Sequence, residues 1–206
     1  MTMQPAKKRG VVVLAVLALV AAWAAISHAT GAPPFKKPKG TIEAAELCPS
    51  LGDRDEAAGI LNRILPYAPA YSVPAEDNRP RADAGDTTYS TLCDVHGDGR
   101  LVVVRSEMEP GENREQWQER VLGNTVGGGA EPFGAGRWAF TSTNRKAAAV
   151  FSSCLTEGDH GVTTYVKLTR PAPADRLDDL RRLAVLAAEQ AHKAAGCTLA
   201  ADAPRP

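Results

Sequence analysis

The residues able to do chemistry are few and far apart along the chain. Asp94, His96, Asp98 and Gly99 stand at positions 1, 3, 5 and 6 of a calcium-loop pattern, where oxygens gather round a hard cation and the glycine allows the turn. Position 12 falls on Arg105, where that pattern needs a bidentate carboxylate, so the stretch reads as a tight polar turn with glycines at positive φ. Gly134, Gly136 and Ala139 match the dinucleotide fingerprint GxGxxA, but no strand leads in and no helix is expected to follow. His96 and His160 fall in turns and His192 ends a helix; His96 or His160 beside Asp98 or Asp159 is the arrangement an envelope hydrolase would use for acid–base work. No GxSxG, HExxH, P-loop or SxxK signature occurs. No catalytic, cofactor or metal residue is assigned. Phe133, Trp138 and Phe140, with Phe151, flank the glycine-rich stretch Gly127 to Gly136 and are the candidate ligand or partner contacts; their other reading is sheet core.

The four cysteines, Cys48, Cys93, Cys154 and Cys197, are 45, 61 and 43 residues apart, which matches neither a zinc knuckle nor a redox CxxC. An even number beyond an export leader reads as two disulfides in an oxidising compartment. Three pairings are open on sequence alone. The order of elements favours Cys48 with Cys93 and Cys154 with Cys197, each closing a loop worth about 4 kcal/mol by loop entropy.

The elements that must carry these residues are legible in outline. Thr41 to Cys48 reads as a short helix, and Asp53 with Glu56 caps a helix through Ala57, Ile60, Leu61, Ile64 and Leu65 that Pro66 stops. Tyr67 to Asp86 holds three prolines and reads as a long loop, a second candidate contact surface. Thr87 to Val95 and Leu101 to Val104 form a hairpin across His96 to Gly99. Glu112 to Leu122 is a surface helix held by Trp117 and Val121. Arg137 to Thr143, Ala147 to Thr156 and Val162 to Thr169 are strands. The last helix runs from Asp175 to a Gly196 cap, with Leu177, Leu180, Leu183, Ala184, Leu186, Ala187, Ala188 and Ala191 buried. The expected fold is α+β: an antiparallel sheet of about five strands with flanking helices, in the order α-β-β-α-β-β-β-α.

The chain of 206 residues has a formal net charge of zero, but the halves of that sum are unlike. The first 40 residues hold six basic and no acidic side chains, and the remainder carries −6. Lys7, Lys8 and Arg9 precede Val11 to Ile26, sixteen residues without a charge. The expected organisation is a cytoplasmic basic segment at 1–10, a transmembrane anchor or signal at 11–32, a Pro/Lys linker at 33–40, an extracytoplasmic domain at 41–200 and a disordered tail at 201–206. The alternative is a secreted domain cleaved near Ala29. An acidic domain without a basic stripe excludes nucleic acid as the expected partner.

The leader, Cys48 in an early element, Cys93 in the first hairpin, the segment AAAVFSSC ending at Cys154 and the alanine-rich helix ending in Gly196-Cys197 together resemble a broad class of small exported actinobacterial, Streptomyces-like proteins of unknown function. Lipoproteins belong to that class, and the layout is similar to the extracytoplasmic sensor domain of some receptor serine/threonine kinases. Unlike the lipoproteins, this leader has no cysteine to lipidate. The resemblance implies a two-disulfide α+β binding or sensing module without catalytic residues, whose partner is a protein, an envelope component or a small ligand. A structural or assembly factor of an envelope complex is the remaining reading.

Overall fold

The structure, a computed structural model, describes residues 16–27, 37–123, 129–155 and 160–199. The chain divides into two units, at Met1–Lys39 and Gly40–Pro206. In the first, residues 16–27 form helix α1, whose Val16, Leu17, Leu19, Val20, Trp23 and Ile26 side chains are exposed. Twelve residues of helix rise about 18 Å. Among the described residues no helix is long and apolar enough to cross a membrane, and Val11 to Ala15 of the uncharged run lie outside them. So do the basic cluster, Ala29, residues 33–36 of the Pro/Lys linker and the tail at 201–206.

The second unit is α+β, with a seven-stranded antiparallel sheet where about five strands were expected. Its strands are β1 (Asp77–Arg79), β2 (Ser90–Gly97), β3 (Gly99–Pro110), β4 (Ala130–Pro132), β5 (Trp138–Ser142), β6 (Ala147–Leu155) and β7 (His160–Leu168), in the order β1-β2-β3-β7-β6-β5-β4. The two strands not foreseen, β1 and β4, are three-residue pieces at the edges. Their sequences, Asp-Asn-Arg and Ala-Glu-Pro, carry the charges and proline that keep sheet edges from recruiting other chains. The stretches that read as a long loop and a glycine-rich loop each contain one of them.

The helices are α2 (Arg54–Ile64), α3 (Arg114–Gly123) and α4 (Leu177–Ala194). The short helix expected at Thr41 to Cys48 is instead a pair of 3₁₀ turns, Ala44–Glu46 and Pro49–Leu51, with Cys48 between them. Asp53 caps α2 by accepting the Glu56 N–H at 3.1 Å. The Glu56 carboxylate does not return the bond; it holds Arg182 of α4 through contacts of 2.7 and 2.8 Å. One sheet face buries Val102, Val104, Ala148, Val150, Val166 and Leu168 beneath Leu180, Leu183, Ala184 and Ala187 of α4, with α2 packed alongside. The alternating strand pattern and the α4 stripe therefore meet face to face, which is what holds the two together.

Both disulfides pair as the element order favours. Cys48–Cys93 ties the segment before α2 to β2, and Cys154–Cys197 ties β6 to the residue after the α4 cap. Gly196 takes φ +61 there, its N–H bonding the Lys193 carbonyl while the Cys197 N–H bonds that of His192, a Schellman ending. Arg81 adds a further hold: its Nη1 donates to the Ala195 carbonyl at 2.7 Å, so the proline-rich loop is fastened to the α4 end. Two disulfides with no free cysteine among the described residues are the chemistry of an oxidising, extracytoplasmic compartment.

Candidate functional site

The histidines do not converge. His96 pairs with Arg100 at one end of β3, and His160 pairs with Pro110 at the other. Ten strand residues separate those positions, roughly 33 Å of extended chain, so the two rings cannot share a reacting atom. His192 Nε2 lies 3.2 Å from the Ser153 carbonyl at the end of α4, and Asp159 lies outside the described residues. Asp94, first of the calcium-like positions, has Arg100 at 3.1 Å and His96 at 3.9 Å, so a guanidinium occupies the place a cation would need. Among the described residues no three His, Cys, Asp or Glu side chains gather as a metal site would require. GxGxxA runs directly into β5 with no helix behind it.

What does converge lies around the glycine-rich segment. An open hollow of about 500 Å³ forms between the start of α3 and the chain from β4 into β5. Phe133, Trp138 and Ala139 line it with the backbone of Gly134–Gly136, and Arg114 and Arg137 complete the wall. Gly136 is essential to this shape. It takes φ +50, and a Cβ there would stand 2.5 Å from the Phe151 carbonyl oxygen. Only glycine lets the chain lie flush on β6, where the Arg137 N–H bonds that same carbonyl at 2.8 Å.

The rings are held in place. Trp138 is half-buried and stacks on Phe151 at 4.9 Å between centroids, 22° from parallel. The Arg137 guanidinium carbon lies 4.7 Å from the Trp138 centroid, a cation–π contact. Arg181 of α4 reaches the Phe133 ring at 5.6 Å while its Nε donates to Thr141 Oγ1 at 3.0 Å. Phe140, the third aromatic singled out by sequence, does not reach the hollow. It is 2% exposed and packs 4.9 Å from Trp117, because α3 crosses the second face of the sheet directly above it.

From Trp117, whose ring centroid lies 6.0 Å from that of Trp138, runs a polar chain that local sequence patterns do not announce. Buried Trp117 donates from Nε1 to Thr163 Oγ1 at 3.1 Å, and the Thr163 hydroxyl donates to Glu109 Oε2 at 2.5 Å. Arg120 of α3 pairs with the same carboxylate and, at 3.0 Å, with Glu112. Burial pushes the Glu109 carboxyl above its ordinary value of 4.5, outweighing the downward pull of Thr163 and Arg120. A carboxylate raised on folding makes the native protein bind its proton more tightly than the unfolded chain does. The resulting penalty is full above the folded value and is relieved as pH falls towards 4.5. Glu109→Gln keeps an acceptor for Thr163 but cannot titrate. In urea unfolding across pH 4 to 7.5, the stability of wild type relative to this variant is expected to fall as pH rises; the opposite slope would show that Arg120 dominates.

No protein-family model, curated protein or solved structure matches the chain.

Proposed function

We propose that this chain is an exported, membrane-tethered binding module that holds an extracytoplasmic ligand or partner in the hollow beside Trp138, without catalysing a reaction. The carrying observation is the convergence there of two aromatic rings and two guanidinium groups on a segment that Gly136 presses against β6. Concave sites with rigid aromatic walls and a few placed polar groups are the usual form of small-ligand pockets. Tethering is supported by the basic cluster ahead of the uncharged run and by the exposed apolar side chains of α1. The layout shared with small exported actinobacterial proteins and receptor-kinase sensor domains points the same way.

The test is a fragment screen on the full-length chain in neutral detergent, read by saturation-transfer NMR. Hits are expected to lose at least about tenfold in affinity in Trp138→Ala, since a well-placed aromatic anchor carries about that much or more. They should be unchanged in Tyr67→Ala, a change at an exposed ring in the proline-rich loop. Hits indifferent to Trp138 would remove the hollow as the site. Exchanging the leader for a cleavable signal separates the assembly-factor reading: the released domain should still bind, whereas an assembly factor should lose its role.

A further inference from the structure

We infer that Cys154–Cys197 is an exchangeable disulfide, opened and reclosed by an extracytoplasmic dithiol protein of the Cys-x-x-Cys kind, while Cys48–Cys93 stays closed. Exchange begins when a thiolate reaches one sulfur of a disulfide, so access decides which bond reacts and at which end. Cys48, Cys93 and Cys154 are 4%, 0% and 0% exposed. Cys197 is half-buried, the one half-cystine of the four that solvent reaches to that extent. An open hollow of about 290 Å³ lies beside this bond. Leu155, next to Cys154, lines it together with Gly196 and Thr198, which flank Cys197, and with Arg81 and Asp83. A partner's thiolate entering there meets the Cys197 end first.

The surroundings keep the event local and reversible. The thiolate attacks Cys197 Sγ, the Cys154–Cys197 bond breaks, and the Cys154 sulfur leaves as a thiolate and is protonated. The second thiol of the dithiol then gives up its proton and attacks its own partner sulfur in the mixed disulfide, and Cys197 leaves and is protonated in turn. Two electrons and two protons have passed to the cystine, and the dithiol has become a disulfide. Through this α4 keeps its end, because the Gly196 and Cys197 N–H groups bond the Lys193 and His192 carbonyls and Arg81 holds that of Ala195. Cys154 stays among Tyr89, Met108, Val162 and Ala191, and the Thr198 and Leu199 N–H groups bond its carbonyl at 3.0 and 3.1 Å. The two sulfurs therefore remain neighbours at high effective concentration. A monothiol attached to Cys197 is expelled as Cys154 returns, whereas a dithiol resolves the mixed disulfide first, which is why the partner is a dithiol.

The experiment treats the oxidised full-length chain in neutral detergent with reduced thioredoxin at pH 7, quenches with acid, alkylates the thiols and maps them by peptide mass spectrometry. Cys154–Cys197 is expected to open at least about tenfold faster than Cys48–Cys93. Reduced glutathione at the same thiol concentration should open it at least about tenfold less. A thioredoxin whose second active-site cysteine is serine should be trapped on Cys197. Circular dichroism of the singly opened chain should match that of the oxidised one, and oxidised glutathione should restore the same pair once the thioredoxin is removed. The variant Cys154→Ser/Cys197→Ser should trap no thioredoxin. Equal opening of the two bonds, Cys48–Cys93 opening first, or no opening by thioredoxin overturns the inference. So does trapping on Cys154, or loss of the folded spectrum when the bond opens. Glutathione as effective as thioredoxin overturns the dithiol assignment, and failure to reclose overturns reversibility.

Discussion

Replacing Trp117 by alanine is expected to lower the free energy of unfolding by about 3–5 kcal/mol, the range for truncating a large buried aromatic. Trp117 is completely buried and touches Phe140, Phe151 and Trp138 at centroid distances of 4.9, 5.8 and 6.0 Å. It is also most of what holds α3. The rest of that helix is charged or polar on its described side chains apart from Val121, and a helix of ten residues is not stable in water alone. Truncation also strips Thr163 of its indole donor, leaving the Glu109 carboxylate in a looser and wetter setting. Trp117→Phe separates the two contributions: it keeps most of the apolar area, loses the Nε1–H, and should cost about 1–1.5 kcal/mol. Urea unfolding at pH 7 measures both, and amide exchange along α3 should rise in the alanine variant first. A loss below about 1 kcal/mol for Trp117→Ala would mean that α3 is held by something other than this ring.

The second large effect is expected from Cys48→Ala/Cys93→Ala, about 4 kcal/mol of stability from loop entropy across a separation of 45 residues. Both sulfurs are buried, and the alanines leave no free thiol to exchange. Removing Cys154–Cys197, of similar separation, should cost less. The Schellman ending of α4 and the Arg81 bond to the Ala195 carbonyl still hold that helix end when the sulfurs are gone. Paired unfolding curves for the two double variants, under oxidising conditions, check the ranking. Equal midpoints would remove the claim that Arg81 and the helix cap share the load at Cys197.

How much of this could be read beforehand depended on the range over which each feature is encoded. The period of α4, the alternation of β2 and the Asp53 cap are local and lie where the sequence places them. By contrast β3 runs on to Pro110, well past Val104, and His96, Gly97 and His160, read as turn residues, lie in β2 and β7 because their pairing partners on β3 extend that far. β1 and β4 have no alternation to detect: Asp77–Arg79 exists as a strand only because Leu92, Thr91 and Ser90 lie opposite, and Ala130–Pro132 only because of β5. Cys48 was readable as a partner for Cys93, whereas the turn around it was not, since 3₁₀ turns leave little periodic trace.

The site followed the same rule. Phe133 and Trp138 stand beside the glycines that shape the hollow, so composition alone pointed to them. Phe140 is two residues from Trp138 and on the same strand face; its burial is decided by where α3 crosses, which depends on β3 running to β7 rather than to β4 as neighbour. Arg114 was invisible as a site residue for that same reason, arriving from α3 at some distance in sequence from the segment it faces. The Trp117–Thr163–Glu109 chain joins positions 46 and 54 residues apart, and no spacing rule connects them.

The Cys48–Cys93 bond also fixes how the domain would carry tension. Pulling on the chain ahead of Cys48 sends the force through sulfur straight into β2, and residues 49–92, α2 and β1 among them, drop out of the line of load. What resists is the ladder between β2 and β3, paired from Ser90 with Glu107 to Gly97 with Gly99. Under a pull from that end, the domain can lengthen only by breaking sheet or sulfur, while α2 and the 3₁₀ turn Pro49–Leu51 ride along slack and intact.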